Sequence, residues 1–506
     1  MDSVDSASAG RGTAARRPET VRRGGWTAVW SWALLLFVAV PAGGKEAAGD
    51  GTLAAALERS LSARALKGAE LAVLVVDDAD GRVVFERHPD RALVPASNFK
   101  ILTALAALRV FGPTHRFVTE AISEGPPDAS GTLRNLYVRG GGDPGLTSED
   151  YWRLAADLRR AGVRRVSGDL VIDDTLFDAE RWHPSWLPVS ARAYHAPVGA
   201  LMANYGAFAV QVGAGDAEGD PVRITVDPPV PFLRISNQAK TRGSRSKLVV
   251  DRRARKGGEE VVVGGRWPRG REKTFHRSVL DPGSYAASVL RLQLEAVGIE
   301  VAGTTRRAVV PENAETIVEF EGRPVSDVVR RFLKYSNNPM GEALVKSMAV
   351  ADSGAPGTWS AGTAVLRSEL AAMGLPLDGL VITDGSGLSY QNRASPRLFV
   401  EALRRGRRSF LYGAEFVSGL PIGGNDGTLA KRAEEADHWV RAKTGLLTRV
   451  TGLSGLARRA DGRTLVFSIL VNGFQTGAQD AMDAVDGFAA ALVGPRPGQE
   501  ELSSLP

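Results

Sequence analysis

The residues that could do chemistry begin with a serine and a lysine at the start of a predicted helix. Ser97 and Lys100 stand three residues apart, on one face of a helix. Pro95 disfavours helix for Val94, so the helix is predicted to begin at about Ser97. Residues 101–108 are almost all apolar, which is typical of a buried helix. A helix N-terminus favours developing negative charge, and a lysine entering a buried helix needs a partner or a function.

Two later segments carry side chains that fit the same chemistry. Residues 336–338 form a Ser-x-Asn pattern, and residues 443–445 form a Lys-Thr-Gly pattern. Acyl transfer requires a nucleophile, a base, donors for an oxyanion and an acid for the leaving group. Ser97 can be the nucleophile. Lys100 can be its base if burial and a second cation, for which Lys443 is the candidate, lower its pKa.

The remaining side chains of these segments fit the handling of substrate. Ser336 can relay a proton to the departing amine, and the Asn338 side chain can hold a substrate amide. The Lys443-Thr444 pair can bind a terminal carboxylate. The backbone N–H of Leu446 can form an oxyanion hole with that of the nucleophile. Gly445 removes a side chain where substrate must lie close to the strand.

In this order, the three motifs resemble those of the class C low-molecular-mass penicillin-binding proteins, the D-alanyl-D-alanine carboxypeptidase/endopeptidase family. A long insertion between the first two motifs marks that family, and more than two hundred residues separate Ser97 from Ser336. The resemblance covers nearly all of the chain after its leader. Further matching segments are residues 136–144, 194–201, 336–338 with Glu342, 384–389 and 426–429. Tyr390 departs from the pattern, because relatives often carry Arg there, and this leaves details of the cleft open.

The resemblance implies a serine DD-peptidase that acts on peptidoglycan stem peptides through a Ser97 acyl-enzyme. It implies β-lactam antibiotics as covalent inhibitors, and no metal or other cofactor. The motifs do not separate carboxypeptidase from endopeptidase activity, since both cut the same type of bond, and they leave the oligomeric state open. Two alternatives remain, a β-lactamase and an inactive cell-wall-binding protein of the same fold, although all three motifs are intact.

The predicted fold is α+β, a serine β-lactamase/penicillin-binding transpeptidase-like domain with a large β-rich insertion between the first and second motifs. Five antiparallel strands, split between the two ends of the chain, are expected to form a sheet with the terminal helices on one face. The predicted catalytic domain comprises residues 45–116 and 311–506. Short apolar runs between turn residues predict that residues 117–310 are an inserted β-rich region, with two subdomains expected.

The first 44 residues have the layout of a secretory signal peptide, with an arginine-rich start, an apolar run over residues 26–40 and small residues after it. Export to the periplasm or the exterior of the cell envelope follows, and an uncleaved membrane anchor stays an alternative. The chain has 506 residues and no cysteine, which excludes disulfides and a thiol nucleophile. Its net charge of +6 is too small to indicate a nucleic-acid partner.

Two charged features of the inserted region have alternative interpretations. Residues 234–277 hold 14 Lys and Arg against four acidic residues, which fits either a solvated face or contact with an anionic cell-wall or membrane surface. Asp173 and Asp174 end a predicted strand. They are either turn carboxylates or, as the family resemblance implies, an acidic site for the amino group of a stem peptide.

Overall fold

The protein was analysed as a computed structural model, and the structure describes residues 46–495. The predicted signal peptide lies outside the described residues. Within them, no helix combines the length and the apolar character that crossing a membrane requires.

The helices and strands are numbered in chain order. The helices are α1 (Glu46–Leu61), α2 (Lys100–Phe111), α3 (Ser148–Arg160), α4 (Pro282–Ala296), α5 (Val325–Tyr335), α6 (Asn338–Ser353), α7 (Trp359–Ala372), α8 (Pro396–Arg408), α9 (Gly413–Gly419) and α10 (Ala478–Val493). The strands are β1 (Glu70–Asp77), β2 (Val83–Arg87), β3 (Arg116–Ser123), β4 (Thr132–Leu133), β5 (Leu136–Arg139), β6 (Arg165–Val166), β7 (Leu170–Asp173), β8 (Ala207–Gly213), β9 (Arg223–Asp227), β10 (Leu233–Thr241), β11 (Lys247–Arg255), β12 (Gly258–Trp267), β13 (Glu272–Ser278), β14 (Glu300–Val301), β15 (Thr305–Arg307), β16 (Glu315–Pro324), β17 (Val440–Leu447), β18 (Val450–Arg458) and β19 (Thr464–Asn472).

The central sheet joins the two ends of the chain, as the sequence predicted. Its five strands run in the order β17-β18-β19-β1-β2, and every neighbouring pair is antiparallel. Side chains alternate between the two faces of a strand. Val73 and Val75 therefore pack with Leu57 of α1 and Phe488 of α10. Leu74 points to the opposite face and packs in the core that contains α2.

Helix α2 lies in the middle of that second core. Residues 100–108 are all buried, which explains why the helix is apolar all round. Helices α5, α6, α7 and α8 surround it. Strand β17, which carries the Lys-Thr-Gly motif, is the edge strand of the central sheet and packs against the turn that leads into α2. This packing brings the first and third motifs together.

The segment between the first two motifs folds mainly into strands. One sheet has the order β15-β7-β5-β3-β16, and three smaller sheets have the orders β14-β6-β4, β13-β8-β9 and β10-β12-β11. Strand β3 pairs with β16, so the beginning and the end of the segment meet before the chain enters α5. Because β16 ends at Pro324, this sheet extends past residue 310. The division into domains stays a prediction.

Candidate active site

Ser97 lies in a short 3₁₀ turn, Ala96–Phe99, that leads directly into α2. Ala96, the residue before it, has a φ of 49° and is fully buried. An alanine in the left-handed region is held there only by its surroundings. The backbone at the candidate nucleophile is therefore fixed in a strained geometry, with Ser97 itself partly exposed at the surface of a cleft.

Lys100 is fully buried, and its amine has three partners. Its Nζ donates to Ser97 Oγ at 2.9 Å, to Asn338 Oδ1 at 2.7 Å and to the Ser386 carbonyl at 2.6 Å. Ser97 is three residues away in the chain, whereas Asn338 and Ser386 come from distant segments. The amine is thus held by neutral oxygens within hydrogen-bond distance of the hydroxyl whose proton it would take.

The Ser386 carbonyl is held in place by two buried carboxylates. Glu342 accepts from the backbone N–H of Ser386 at 2.7 Å and from that of Gly385 at 3.0 Å. Asp384 accepts from two later N–H groups of the same loop, each at 2.7 Å. Carboxylates that accept several backbone N–H groups fix a loop firmly. Both therefore position the oxygen that receives the Lys100 amine.

Burial sets the protonation of this centre. It lowers the pKa of Lys100 to about 7, although the negative charges of Asp384 and Glu342 act to raise it. Burial, together with repulsion by Asp384, raises the pKa of Glu342 to about 7. Near neutral pH, a substantial share of Lys100 is therefore the neutral amine that a general base requires.

The second motif meets the third at Lys443. Its Nζ donates to Ser336 Oγ at 2.9 Å and to the carbonyl of Thr444 at 2.9 Å. Burial and then the charge of Lys100 lower the pKa of the Lys443 amine well below its ordinary value. Ser336 directly follows the last residue of α5 and has a φ of 55°. This left-handed conformation turns its side chain toward Lys443 on β17. Lys443 is fully buried, so its amine contacts Ser336 and not the open cleft.

Asn338 joins the Lys100 amine to the inserted segment. Its Oδ1 accepts from Lys100 at 2.7 Å, and its Nδ2 donates to the carbonyl of Tyr194 at 3.0 Å. With both ends of the amide engaged inside the protein and only 6% of the residue exposed, Asn338 positions Lys100. Contact between Asn338 and a substrate amide stays a prediction.

The three residues of the third motif are buried, and Leu446, which follows them, lines the cleft. Thr444 Oγ1 is 2.8 Å from Thr428 Oγ1, and the Leu446 side chain is 45% exposed. A side chain at Gly445 would place its Cβ 2.4 Å from Asn98 Nδ2. Glycine is thus required at this position for close packing against the turn that carries Ser97, a reason different from the predicted room for substrate.

A cleft of about 710 Å³ lies in front of Ser97. Ser97, Ser336, Asn338 and Leu446 line it, together with Ser185, Trp186, Leu187, Tyr194, His195, Leu388, Tyr390, Leu447, Thr448 and Ala478. Trp186 and Leu187 come from the inserted segment, and no motif marked them in the sequence. The Tyr390 hydroxyl accepts from the backbone N–H of Thr448 at 3.0 Å, and so joins the 384–389 loop to the β17–β18 turn.

Asp173 and Asp174 do not line this cleft. The Asp173 carboxylate accepts from the backbone N–H groups of Thr175 and Val310. Asp174 forms ion pairs with Arg181 at 2.7 Å and Arg307 at 2.9 Å. Both acidic side chains are buried and stabilise the inserted segment, which supports their interpretation as turn carboxylates.

The fold and this arrangement define an enzyme of the penicillin-interacting serine type. The model of the D-Ala-D-Ala carboxypeptidase 3 (S13) family matches residues 53–492, and the chain belongs to that family. It is 36% identical over 428 residues to the D-alanyl-D-alanine carboxypeptidase of Actinomadura sp. (strain R39), covering 81% of this chain and 79% of the relative. It is 26% identical to the D-alanyl-D-alanine carboxypeptidase DacB of Haemophilus influenzae, covering 81% and 87%.

The fold agrees with a solved structure. Penicillin-binding protein 4 (dacB) of Haemophilus influenzae superposes with a TM-score of 0.75 and 24% identity, covering 86% of this chain and 98% of that one. The predicted family, fold class and enzyme class, a serine-type D-Ala-D-Ala carboxypeptidase, are therefore confirmed.

Proposed function

We propose that Ser97 forms an acyl-enzyme with peptidoglycan stem peptides and releases D-alanine or a cross-linked partner strand. The observation that carries this proposal is the 2.9 Å contact between Ser97 Oγ and the fully buried amine of Lys100, whose pKa is about 7. A base with a pKa near the working pH combines a useful neutral fraction with proton affinity. The family membership supplies the substrate class.

Acylation begins when the neutral Lys100 amine takes the Ser97 proton and Oγ attacks the carbonyl of the D-Ala–D-X bond. The backbone N–H groups of Ser97 and Leu446 stabilise the oxyanion. Ser336, held at 2.9 Å by Lys443, relays to the departing amine the proton that Lys100 took from Ser97, so Lys100 is neutral again. Water then attacks the ester with Lys100 as its base, and the proton returns to Ser97 Oγ when the acid product leaves. Thr444, whose hydroxyl contacts that of Thr428, is assigned the terminal carboxylate of the substrate.

β-Lactams enter this site as substrate mimics that acylate Ser97. A structure of the Haemophilus influenzae protein complexed with a β-lactam, at a TM-score of 0.70, supports this assignment for an enzyme of the same fold. Membership of a carboxypeptidase family favours a peptidase over a β-lactamase. The lifetime of the penicilloyl ester distinguishes the two, since a peptidase is expected to hold this ester for a long time.

We further propose the setting of the enzyme. Its arginine-rich and apolar leader directs export to the periplasm or the exterior of the envelope, with an uncleaved anchor as the alternative. Peptidoglycan is the partner there.

We also propose the division into domains, with residues 45–116 and 311–506 as the catalytic domain and residues 117–310 as the inserted region. The pairing of β3 with β16 supports a compact insertion, and it favours an end of the insertion nearer residue 324 than residue 310.

The test is covalent labelling followed by product analysis. Wild-type protein should form a stoichiometric adduct with labelled penicillin on the peptide that contains Ser97, and Ser97→Ala should form none. Stoichiometric labelling of Ser97→Ala would refute the assignment. Digestion of purified cross-linked peptidoglycan, with products resolved by mass, then separates loss of D-alanine from cleavage of cross-links.

A further inference from the structure

The sheet β10-β12-β11 in the inserted region has one buried and one exposed face. Strand β12 lies in the middle, parallel to β10 and antiparallel to β11. The inward side chains of all three strands are buried in a hydrophobic core that includes Ala239, Val250, Val261, Val263 and Trp267. Because side chains alternate along each strand, the positions between these project outward.

Three cations stand side by side on the outward face. Arg266 of β12 lies opposite Lys240 of β10 on one side and opposite Lys247 of β11 on the other. All three residues are exposed. Within the part of the chain that the structure describes, none of the three forms an ion pair. Adjacent strands are about 4.7–4.9 Å apart, and like charges at opposed positions destabilise a sheet. We call these three residues the cation row.

The other end of the same face is arranged differently. There Glu260 of β12 lies between Arg234 and Arg253, and it forms an ion pair with Arg253. Asp251 of β11 is also exposed there. At this end acidic side chains stand among the arginines, whereas the other end presents only positive charges. The stability of the sheet does not account for this difference, since an acidic residue at position 266 would be the stabilising choice.

We propose that the cation row binds a linear polyanion with a phosphodiester in each repeat. Lys and Arg both bind phosphate oxygens through charge-assisted hydrogen bonds. Each of the three strands contributes one residue to the row, so the row runs across the strands. A linear polymer that lies perpendicular to the strands could contact all three cations. A narrow polymer can contact the three cations of the row alone, whereas a flat anionic bilayer would also meet Glu260 and Asp251, with the arginines beside them, on the same face. Binding at the row would hold the enzyme on a phosphate-bearing polymer, independently of the chemistry at Ser97.

The probe is synthetic poly(glycerol phosphate), titrated against the full-length protein at several salt concentrations. The triple variant Lys240→Gln, Arg266→Gln and Lys247→Gln should bind at least about tenfold more weakly than wild type at low salt. The salt dependence should also fall, because each phosphate neutralised on a flexible single strand contributes roughly 0.7 to the slope of log K against log salt. Three contacts correspond to a loss of about 2 in that slope.

The control removes the same net charge from arginines outside this sheet. Arg87→Gln, Arg91→Gln and Arg165→Gln each break an ion pair, with Glu58, Glu70 and Glu300. This control should bind within about twofold of wild type. Melting temperatures check folding: the triple variant loses like-charge repulsion and should melt no lower than wild type, whereas the control loses attraction.

Three results would overturn the proposal. Equal weakening in both triple variants would assign binding to net charge alone. No binding by wild type at low salt would remove the site. Binding to phosphatidylglycerol vesicles, but not to poly(glycerol phosphate), would assign the row to a membrane surface.

Discussion

Replacing Lys100 by arginine separates a base from a buried positive charge. Both side chains can donate to Ser97 Oγ, to Asn338 Oδ1 and to the Ser386 carbonyl, the three partners of the native amine. Only lysine can lose its proton in this range of pH, because guanidinium stays protonated. A structural role for the charge would therefore tolerate arginine better than a catalytic role would.

The expected magnitude follows from the pKa of Lys100. At pH 7 an amine with a pKa of about 7 is roughly half neutral. An amine with the ordinary lysine pKa would be neutral in only about three molecules in ten thousand, and an arginine in a few per million. General-base catalysis contributes about 10²–10⁴ in rate. Lys100→Arg should therefore lower the second-order rate of penicillin acylation at least about a hundredfold.

The assay needs a control for burying the larger arginine. Lys346 on α6 is also fully buried, forms an ion pair with Asp178 at 2.5 Å and does not line the cleft. Lys346→Arg should lose stability but acylate within a few-fold of wild type. Circular dichroism checks that both variants fold. A folded Lys100→Arg variant that acylates within a few-fold of wild type would refute the general-base assignment.

Three further predictions concern Lys443, Asp143 and Tyr390. Lys443→Ala leaves Ser336 without its amine donor and should lower kcat/KM on a stem peptide by about 10- to 100-fold; unchanged kinetics would remove Lys443 from the site. Burial raises the pKa of Asp143 to about 7, so the folded state holds its proton longer than the unfolded state and stability should fall as pH rises from about 4 to 7. Urea unfolding should find this decrease smaller in Asp143→Asn, and an identical pH dependence would contradict it. Tyr390→Phe keeps the ring but loses the acceptor for Thr448 N–H, so acylation should slow a few-fold; an unchanged rate would show that the hydroxyl does not position the turn.

The parts of the site that local sequence determines were predictable. Pro95 and the apolar run after Lys100 placed the start of a buried helix, and the structure has a 3₁₀ turn over Ala96–Phe99 followed by α2. The five antiparallel strands expected from the two ends of the chain likewise form the observed central sheet. In each case the signal lies within about a dozen residues. Local propensity and burial then agree with the global fold.

The parts that depend on tertiary contact were not predictable in the same way. The Ser386 carbonyl receives the Lys100 amine, but a backbone oxygen carries no mark in the sequence. Trp186 reaches the cleft from the inserted segment, where its Nε1 donates to Asp384 Oδ2 at 2.8 Å. The packing of Gly445 against the turn that carries Ser97 also required knowledge of its neighbours. The sequence identified this glycine as important, but not the atoms that approach it.

In the proposed mechanism, two buried lysines take the place of a histidine base. Lys100 and Lys443 are both excluded from water, and repulsion between them adds to the cost of charging both. Glu342 and Asp384 favour the charged form of Lys100, which keeps its pKa near 7 and prevents it from falling further. Because Lys100 interacts strongly with Lys443 and Glu342, the three titrate as a unit, and the pH profile of acylation should report apparent pKa values of all three together. The carboxylates that shape the loop around Ser386 therefore also set the range of pH in which Lys100 can act as a base.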